Sequence, residues 1–218
     1  MSSNSTIKVW DLGVRLFHWM LVAAFVIAYA TQDDLEQLHI YAGYTVLGLI
    51  IFRVLWGFVG TKYARFSNFV RSPGAVAGYL RSLLTANPKH YVGHNPAGGW
   101  MIVALLISLL VVTISGLKLY AVEEGRGPLA GVDLQMSLVA TAYAKRGRED
   151  DDDHERRGKR HREEQEDNEG EEMWEELHES AVNFTLLLIA LHLAGVAISS
   201  LLHKENLVQA MITGRKKG

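Results

Sequence analysis

Four long stretches with almost no charge constrain this chain more than anything else in it. A helix crossing the ~30 Å hydrocarbon core of a bilayer needs about 20 mainly apolar residues. Residues 12–31, 39–60, 97–122 and 178–202 meet that requirement. The first is uncharged from Leu16 to Gln32, and the second is interrupted only by Arg53. The third is uncharged from Asn95 to Leu117, and the fourth from Ser180 to Leu202. Lipid offers the backbone no hydrogen-bond partner, so such segments satisfy their amides internally as helices. The sequence therefore predicts an all-α fold, an integral membrane four-helix bundle. A mean hydropathy of only +0.07 conceals this, because a charged tract over 145–176 offsets the apolar runs.

Lys8 and Arg15, with Ala28-Tyr29-Ala30 further on, give the first span some likeness to a secretory leader. Its apolar stretch is long for a leader, and cleavage would remove His18, so the segment is read as a retained span. Residues 60–96 carry Lys62, Arg65, Arg71, Arg81 and Lys89 with no acidic residue, and the tail adds Lys204, Arg215, Lys216 and Lys217. The turn after the first span carries Asp33, Asp34 and Glu36 instead. By the positive-inside rule both termini and the 60–96 loop face the cytoplasm, and the loop between the third and fourth spans faces out.

The chain has no cysteine. Disulfides, cysteine-ligated clusters, thiolate zinc sites and covalent haem attachment are thereby excluded. Any redox centre must be held non-covalently, by histidine or methionine.

Ionisable residues within spans are candidates for function. His178 and His192 are fourteen residues apart on the fourth span. That is ~21 Å of rise and nearly four turns, which puts both on one face at two depths. His39 opens the second span at the outer surface, and His18 lies thirteen residues before the outer end of the first. Depth therefore matches His39 with His178 and His18 with His192. Two histidine pairs at two depths are what two six-coordinate haems need. Ligation of that kind leaves no open iron position, which favours electron transfer over catalysis at the metal. A haem-free membrane anchor for a complex, its histidines merely hydrogen-bonded between helices, leaves the matched depths unexplained. Gly43, Gly116 and Gly195 could admit a flat macrocycle or serve ordinary helix packing. Arg53, fourteen residues from His39, and Arg15, one turn before His18, could each meet a haem propionate or snorkel to the headgroups. A His94–His203 pair at the cytoplasmic edge is also geometrically open, although His203 precedes a charged tail and reads as interfacial.

Beyond these residues the chain resembles the bacterial dihaem cytochrome b family, which includes the b-type cytochrome subunits of nickel–iron hydrogenases and, more distantly, the gamma subunit of membrane formate dehydrogenase. The resemblance rests on VWDLGVRLFHW (9–19), His39 with RVLWGFVG (53–60), GHNPAGG (93–99), GLKLY and EEGRGPLAG within 116–131, LHES (177–180), ALHL around His192, and ENLVQAMITGRKK (205–217). It implies a four-helix bundle with haems between the helices and two non-covalent haems b, ligated by the same four histidines. It also implies a subunit for electron transport in the bacterial inner membrane. Its partners would be quinone in the membrane and a periplasmic redox protein, either a c-type cytochrome or a hydrogenase- or dehydrogenase-type protein. A quinone near His192, Arg53 and the GHNPAGG loop, and association into an oligomer, fit the same picture. Nothing points to nucleic acid. His90 and His94 read as loop or headgroup contacts.

The tract over 145–176 cannot form an apolar core and reads as a solvated, disordered insertion, with partner docking or weak metal binding through His154 and His161 as sharper alternatives. Residues 128–143 read as a segment on the outer membrane surface, and 72–84 as a short amphipathic interfacial helix. The rival from another class is a divalent-metal transporter. It calls for acidic residues deep inside the spans, and the acids near them, such as Asp11 and Glu179, stand at the boundaries.

Overall fold

A computed structural model describes residues 6–32, 34–83, 85, 89–132 and 155–217. Strand β1 (Thr6–Lys8) leads into helices α1 (Leu12–Ala30) and α2 (Glu36–Val59), then the short α3 (Phe66–Phe69) and α4 (Pro73–Ser82). Helices α5 (Pro96–Glu123), α6 (Glu155–His203) and α7 (Leu207–Thr213) follow, and strand β2 (Arg215–Lys217) closes the described chain. Four helical segments are long and apolar enough to cross a membrane: Leu12–Ala30, Glu36–Val59, Pro96–Glu123 and Gly170–His203. The first three match the expected spans to within a few residues, and the fourth begins at Gly170, eight residues before the expected 178. The interfacial segment expected at 72–84 is α4, started by the Ser72 side chain accepting from the Ala75 amide and by Pro73 in the first turn.

Residues 145–154 of the charged tract and 133–143 of the outer segment lie outside the described residues, as does His154. From Glu155 the tract is helical and runs unbroken into the fourth span. Its Glu-, Lys- and Arg-rich composition resists core formation but favours helix.

The chain divides into two compact units, residues 1–113 with 181–218, and residues 114–180. In the first unit, Ala24 of α1, Val46 and Ile50 of α2 and Leu109 of α5 form a buried core, with Leu21 and Phe25 packed on it. The Ser108 and Thr185 hydroxyls hydrogen-bond at 2.5 Å and join α5 to α6 where both residues are buried. In hydrocarbon such a pair has no water to compete with it.

At one end of this unit the chain ends are clasped. Strands β1 and β2 pair antiparallel, with Ile7 opposite Lys216 and Lys8 opposite Arg215. The amides of Val9 and Trp10 donate to the Gly214 carbonyl. Gly214 sits at φ +79°, and a Cβ there would come within 2.6 Å of the Trp10 carbonyl oxygen, so the reversal requires glycine. Glu205 ties the clasp down, accepting from Lys216 Nζ at 3.1 Å and meeting His90 Nε2 at 3.0 Å. Burial alone would raise the Glu205 carboxyl, but the hydrogen bonds and charges of Lys216 and His90 hold it below the usual range.

The clasp puts both ends of the described chain on one side, as an even number of spans requires. In a background without native cysteine, Lys8→Cys with Arg215→Cys should form a disulfide on mild oxidation, read as a mobility shift on non-reducing gels. The absence of a cross-link would contradict the clasp.

Candidate functional site

His18 lies on α1 beside the buried Phe17, with its ring edge-on to Trp19 at 5.1 Å. Its Nδ1 is sealed from solvent and meets no hydrogen-bond partner among the described residues. His192 lies on α6 in the same compact unit as His18.

His39 is held differently. Its Nδ1 lies 2.8 Å from the Ala28 carbonyl, across the turn joining α1 to α2. A carbonyl can only accept, so Nδ1 carries the proton and Nε2 carries the lone pair. That tautomer is the one in which metal-binding histidines are usually fixed by a second partner. His178 belongs to the second unit. Its Nδ1 lies 3.1 Å from the Ser115 hydroxyl, and Ser115 is buried.

The glycines divide in the same way. Nothing lies within 4 Å of where a Cβ on Gly43 or Gly195 would be, which leaves open space along α2 and α6. At Gly116 a Cβ would come within 2.8 Å of His178 Cε1, so this glycine makes room for the imidazole itself.

Arg53 is almost wholly buried at 2% exposure. Its guanidinium lies over the Phe66 ring at 5.0 Å and the Phe69 ring at 5.7 Å, and its Nη1 has no hydrogen-bond partner among the described residues. Gly57 makes this possible, since a Cβ there would overlap the Phe66 ring. A buried guanidinium with an unused donor suits an anionic group. Arg15 instead donates from Nη2 to the Ile212 carbonyl at the end of α7, while its Nε is sealed and unpartnered.

At the clasped end of the first unit, Asp11 caps α1 by accepting from the Val14 amide and also receives the Trp56 indole and the Thr61 hydroxyl. Burial would raise its carboxyl, but the hydrogen bonds from Thr61, Val14, Trp56 and Gly13 outweigh it and hold the group below its ordinary range. Sequence reasoning noted Asp11 only as a boundary acid. Its three partners, from α1, α2 and the loop after α2, show why an acid stands there.

His94 and His203 are not brought together. His203 packs against His90 at 5.0 Å, while His94 sits between Trp10 at 4.4 Å and Phe69 at 4.8 Å. As a whole residue His94 is half-buried, but its Nδ1 is sealed and unpartnered. It also lines a cavity of 200 Å³ together with Lys62, Tyr63, Phe69, Arg71 and Tyr91. No group of three or more His, Cys, Asp or Glu among the described residues could hold a metal ion.

Four apolar spans, three of them carrying half-buried histidines, define a multi-pass membrane protein with imidazoles set along its helices. The profile of the prokaryotic cytochrome b561 family matches residues 9–214, and the chain belongs to that family of bacterial membrane cytochromes, which transfer electrons across the bilayer through b-type haem. Among curated proteins it is similar to a probable Ni/Fe-hydrogenase B-type cytochrome subunit of Rhizobium leguminosarum bv. viciae, 26% identical over 152 residues, covering 56% of this chain and 63% of that one. It is also similar to the protein of that name in Azotobacter vinelandii, 26% identical over 153 residues, covering 56% and 63%. The chain thus spans less than two thirds of the length of these relatives. No solved structure matches it.

The residues present fit the haem that the family implies. The unused Nδ1 of His18, the Nδ1-protonated His39, the open space at Gly43 and Gly195 and the unused donor of Arg53 are each suited to an added flat, anionic, iron-bearing group.

Burial, with the charges of Arg53, Lys216 and His192 around it, pushes the His94 imidazole down to about 3. Its unfolded value is about 6.5. Between those values the unfolded chain binds the extra proton, so stability falls as pH is lowered from about 6.5 toward 3, by up to about 1.4 kcal/mol per pH unit. Melting temperatures in detergent should drop between pH 7 and pH 5, and His94→Asn should flatten that dependence. An unchanged slope in the variant would contradict the assignment.

Proposed function

We propose that this chain carries electrons across the bacterial inner membrane through two bis-histidine haems b, one held by His18 and His192 and the other by His39 and His178. The observation that carries the reading is the bond from His39 Nδ1 to the Ala28 carbonyl, because it fixes the ring and its tautomer as a second partner does for metal-binding histidines. Support for the inner pair comes from the matched depth of His18 and His192 along their spans and from the sealed His18 Nδ1, which has no partner among the described residues. Support for the outer pair comes from the shared depth of His39 and His178 along their spans. Bound haem supplies the one-electron carrier. The chain fixes the imidazoles, excludes water from their surroundings and supplies cations for the propionates.

Arg53 is the stronger propionate partner, since it is buried, has an unused Nη1 and lies at the inner pair's depth. Arg15 has already given one donor to the Ile212 carbonyl. Both termini and the basic 60–96 loop are assigned to the cytoplasm by their charge. The outer partner is a hydrogenase-type redox protein, the kind named in the relatives' titles, rather than a c-type cytochrome. The inner partner is quinone. The cavity beside the GHNPAGG loop has aromatic walls at Tyr63, Phe69 and Tyr91 and a sealed imidazole nitrogen at its edge. Its 200 Å³ is below the roughly 300 Å³ at which sites for drug-sized ligands begin, so it suits a quinone ring without its tail.

Single replacement of His18, His39, His178 and His192 by alanine, followed by potentiometric titration of the reduced visible bands, tests the pairing. His18→Ala and His192→Ala should remove one titrating component, and His39→Ala and His178→Ala the other. Loss of the same component from His18→Ala and His39→Ala would contradict it.

A further inference from the structure

We infer that Ser115 is a positioning residue for His178, and that its hydroxyl sets both which imidazole nitrogen faces the iron and how strongly that nitrogen donates. The inference rests on His178 being a haem ligand, as proposed above.

Three observations converge on it. The Ser115 Oγ lies 3.1 Å from His178 Nδ1. Ser115 is 1% exposed, so no water competes for that contact. The next residue is Gly116, whose absent Cβ would stand 2.8 Å from His178 Cε1, 3.1 Å from Nδ1 and 3.7 Å from Nε2. The Nδ1–Cε1 edge of the ring is therefore seated on the backbone of α5, and Nε2 is the ring nitrogen turned further from it. A neutral imidazole has one N–H. The hydroxyl can donate or accept, and its inferred role is acceptor from Nδ1–H, in the tautomer that turns the Nε2 lone pair toward a metal.

The chemical consequence follows from how a second hydrogen bond acts on a ligating imidazole. Pulling on the Nδ1 proton makes Nε2 more basic. A more basic ligand favours ferric over ferrous iron, and so lowers the reduction potential of that haem. His39 has a carbonyl acceptor in the equivalent role, from Ala28. A main-chain acceptor cannot be deleted by substitution, whereas Ser115 can be, which makes it the lever by which one haem is tuned.

Ser115→Ala, Ser115→Thr and His178→Ala in the full-length, haem-loaded protein test this by potentiometric titration, haem quantification and melting temperature. Ser115→Ala should keep its full haem content while one component moves upward by as much as tenfold in ferrous-over-ferric preference, which is ~59 mV for one electron. Ser115→Thr, which keeps the hydroxyl, should restore the original potential. A Ser115→Ala protein that loses melting temperature but keeps both potentials would overturn the inference, because the hydroxyl would then serve packing alone. If His178→Ala removes one component while Ser115→Ala moves nothing, His178 remains a ligand and only the role of Ser115 is lost. If His178→Ala leaves haem content and both potentials intact, the ligand reading itself fails and takes this inference with it.

Discussion

Inside a bilayer no polar side chain can turn to water, and the architecture of this chain depends on how it meets that constraint. Each histidine in a span must find a protein partner, bind a ligand or leave a nitrogen unsatisfied. His39 gives its Nδ1 to a carbonyl, and His178 sets its Nδ1 against a hydroxyl. His18 keeps a sealed Nδ1 with no partner, and Arg53 keeps an unused donor between two aromatic rings. Unused capacity of this sort is costly in an apolar interior. A flat, anionic, metal-bearing cofactor would relieve it at several points together, which is why haem accounts for these residues better than their separate roles in helix packing.

The same constraint explains the end of the molecule where the chain returns on itself. Asp11 is buried enough to need partners and receives the Val14 amide, the Trp56 indole and the Thr61 hydroxyl. Arg15 reaches the last carbonyls of α7, and Glu205 binds Lys216 and His90. The Arg15 contact joins α1 to the C-terminal segment and Asp11 ties the start of α1 to α2 and the loop after it, so the entry of α1 is fixed where His18 needs a defined rotation. A metal transporter would instead need acids deep within the spans, and Asp11, at the start of the first, is occupied with capping α1 and receiving Trp56 and Thr61.

Much of this was legible in the sequence because membrane spans announce themselves by length and lack of charge, and because a helix turns a spacing of fourteen residues into one face and a known rise. The four spans, the interfacial helix over 72–84 and the two depths of His178 and His192 follow from those rules alone. What was not legible depends on rotation and contact between elements far apart in sequence. Ser115 could not be distinguished from any small residue in an apolar run until α5 was seen beside His178. The sequence leaves Gly116 open between room for a macrocycle and helix packing, and the structure gives that space to the His178 ring. Arg15 lies one turn from His18 in sequence, but the returning α7 takes one of its donors. His94 reads as a loop residue, yet Trp10 and Phe69, each distant in sequence, close over it. The charged tract shows the converse, since a composition that resists core formation does not prevent a helix.

The central claim is that one chain holds two haems b between four histidines. It is tested most directly by oxidised and dithionite-reduced visible spectra of the detergent-purified protein, with haem quantified as the pyridine haemochrome. The account predicts sharp reduced α and β bands and two haems b per chain. One haem per chain would contradict the assignment of two pairs, and a protein from haem-replete cells with no Soret band would contradict the cytochrome account altogether.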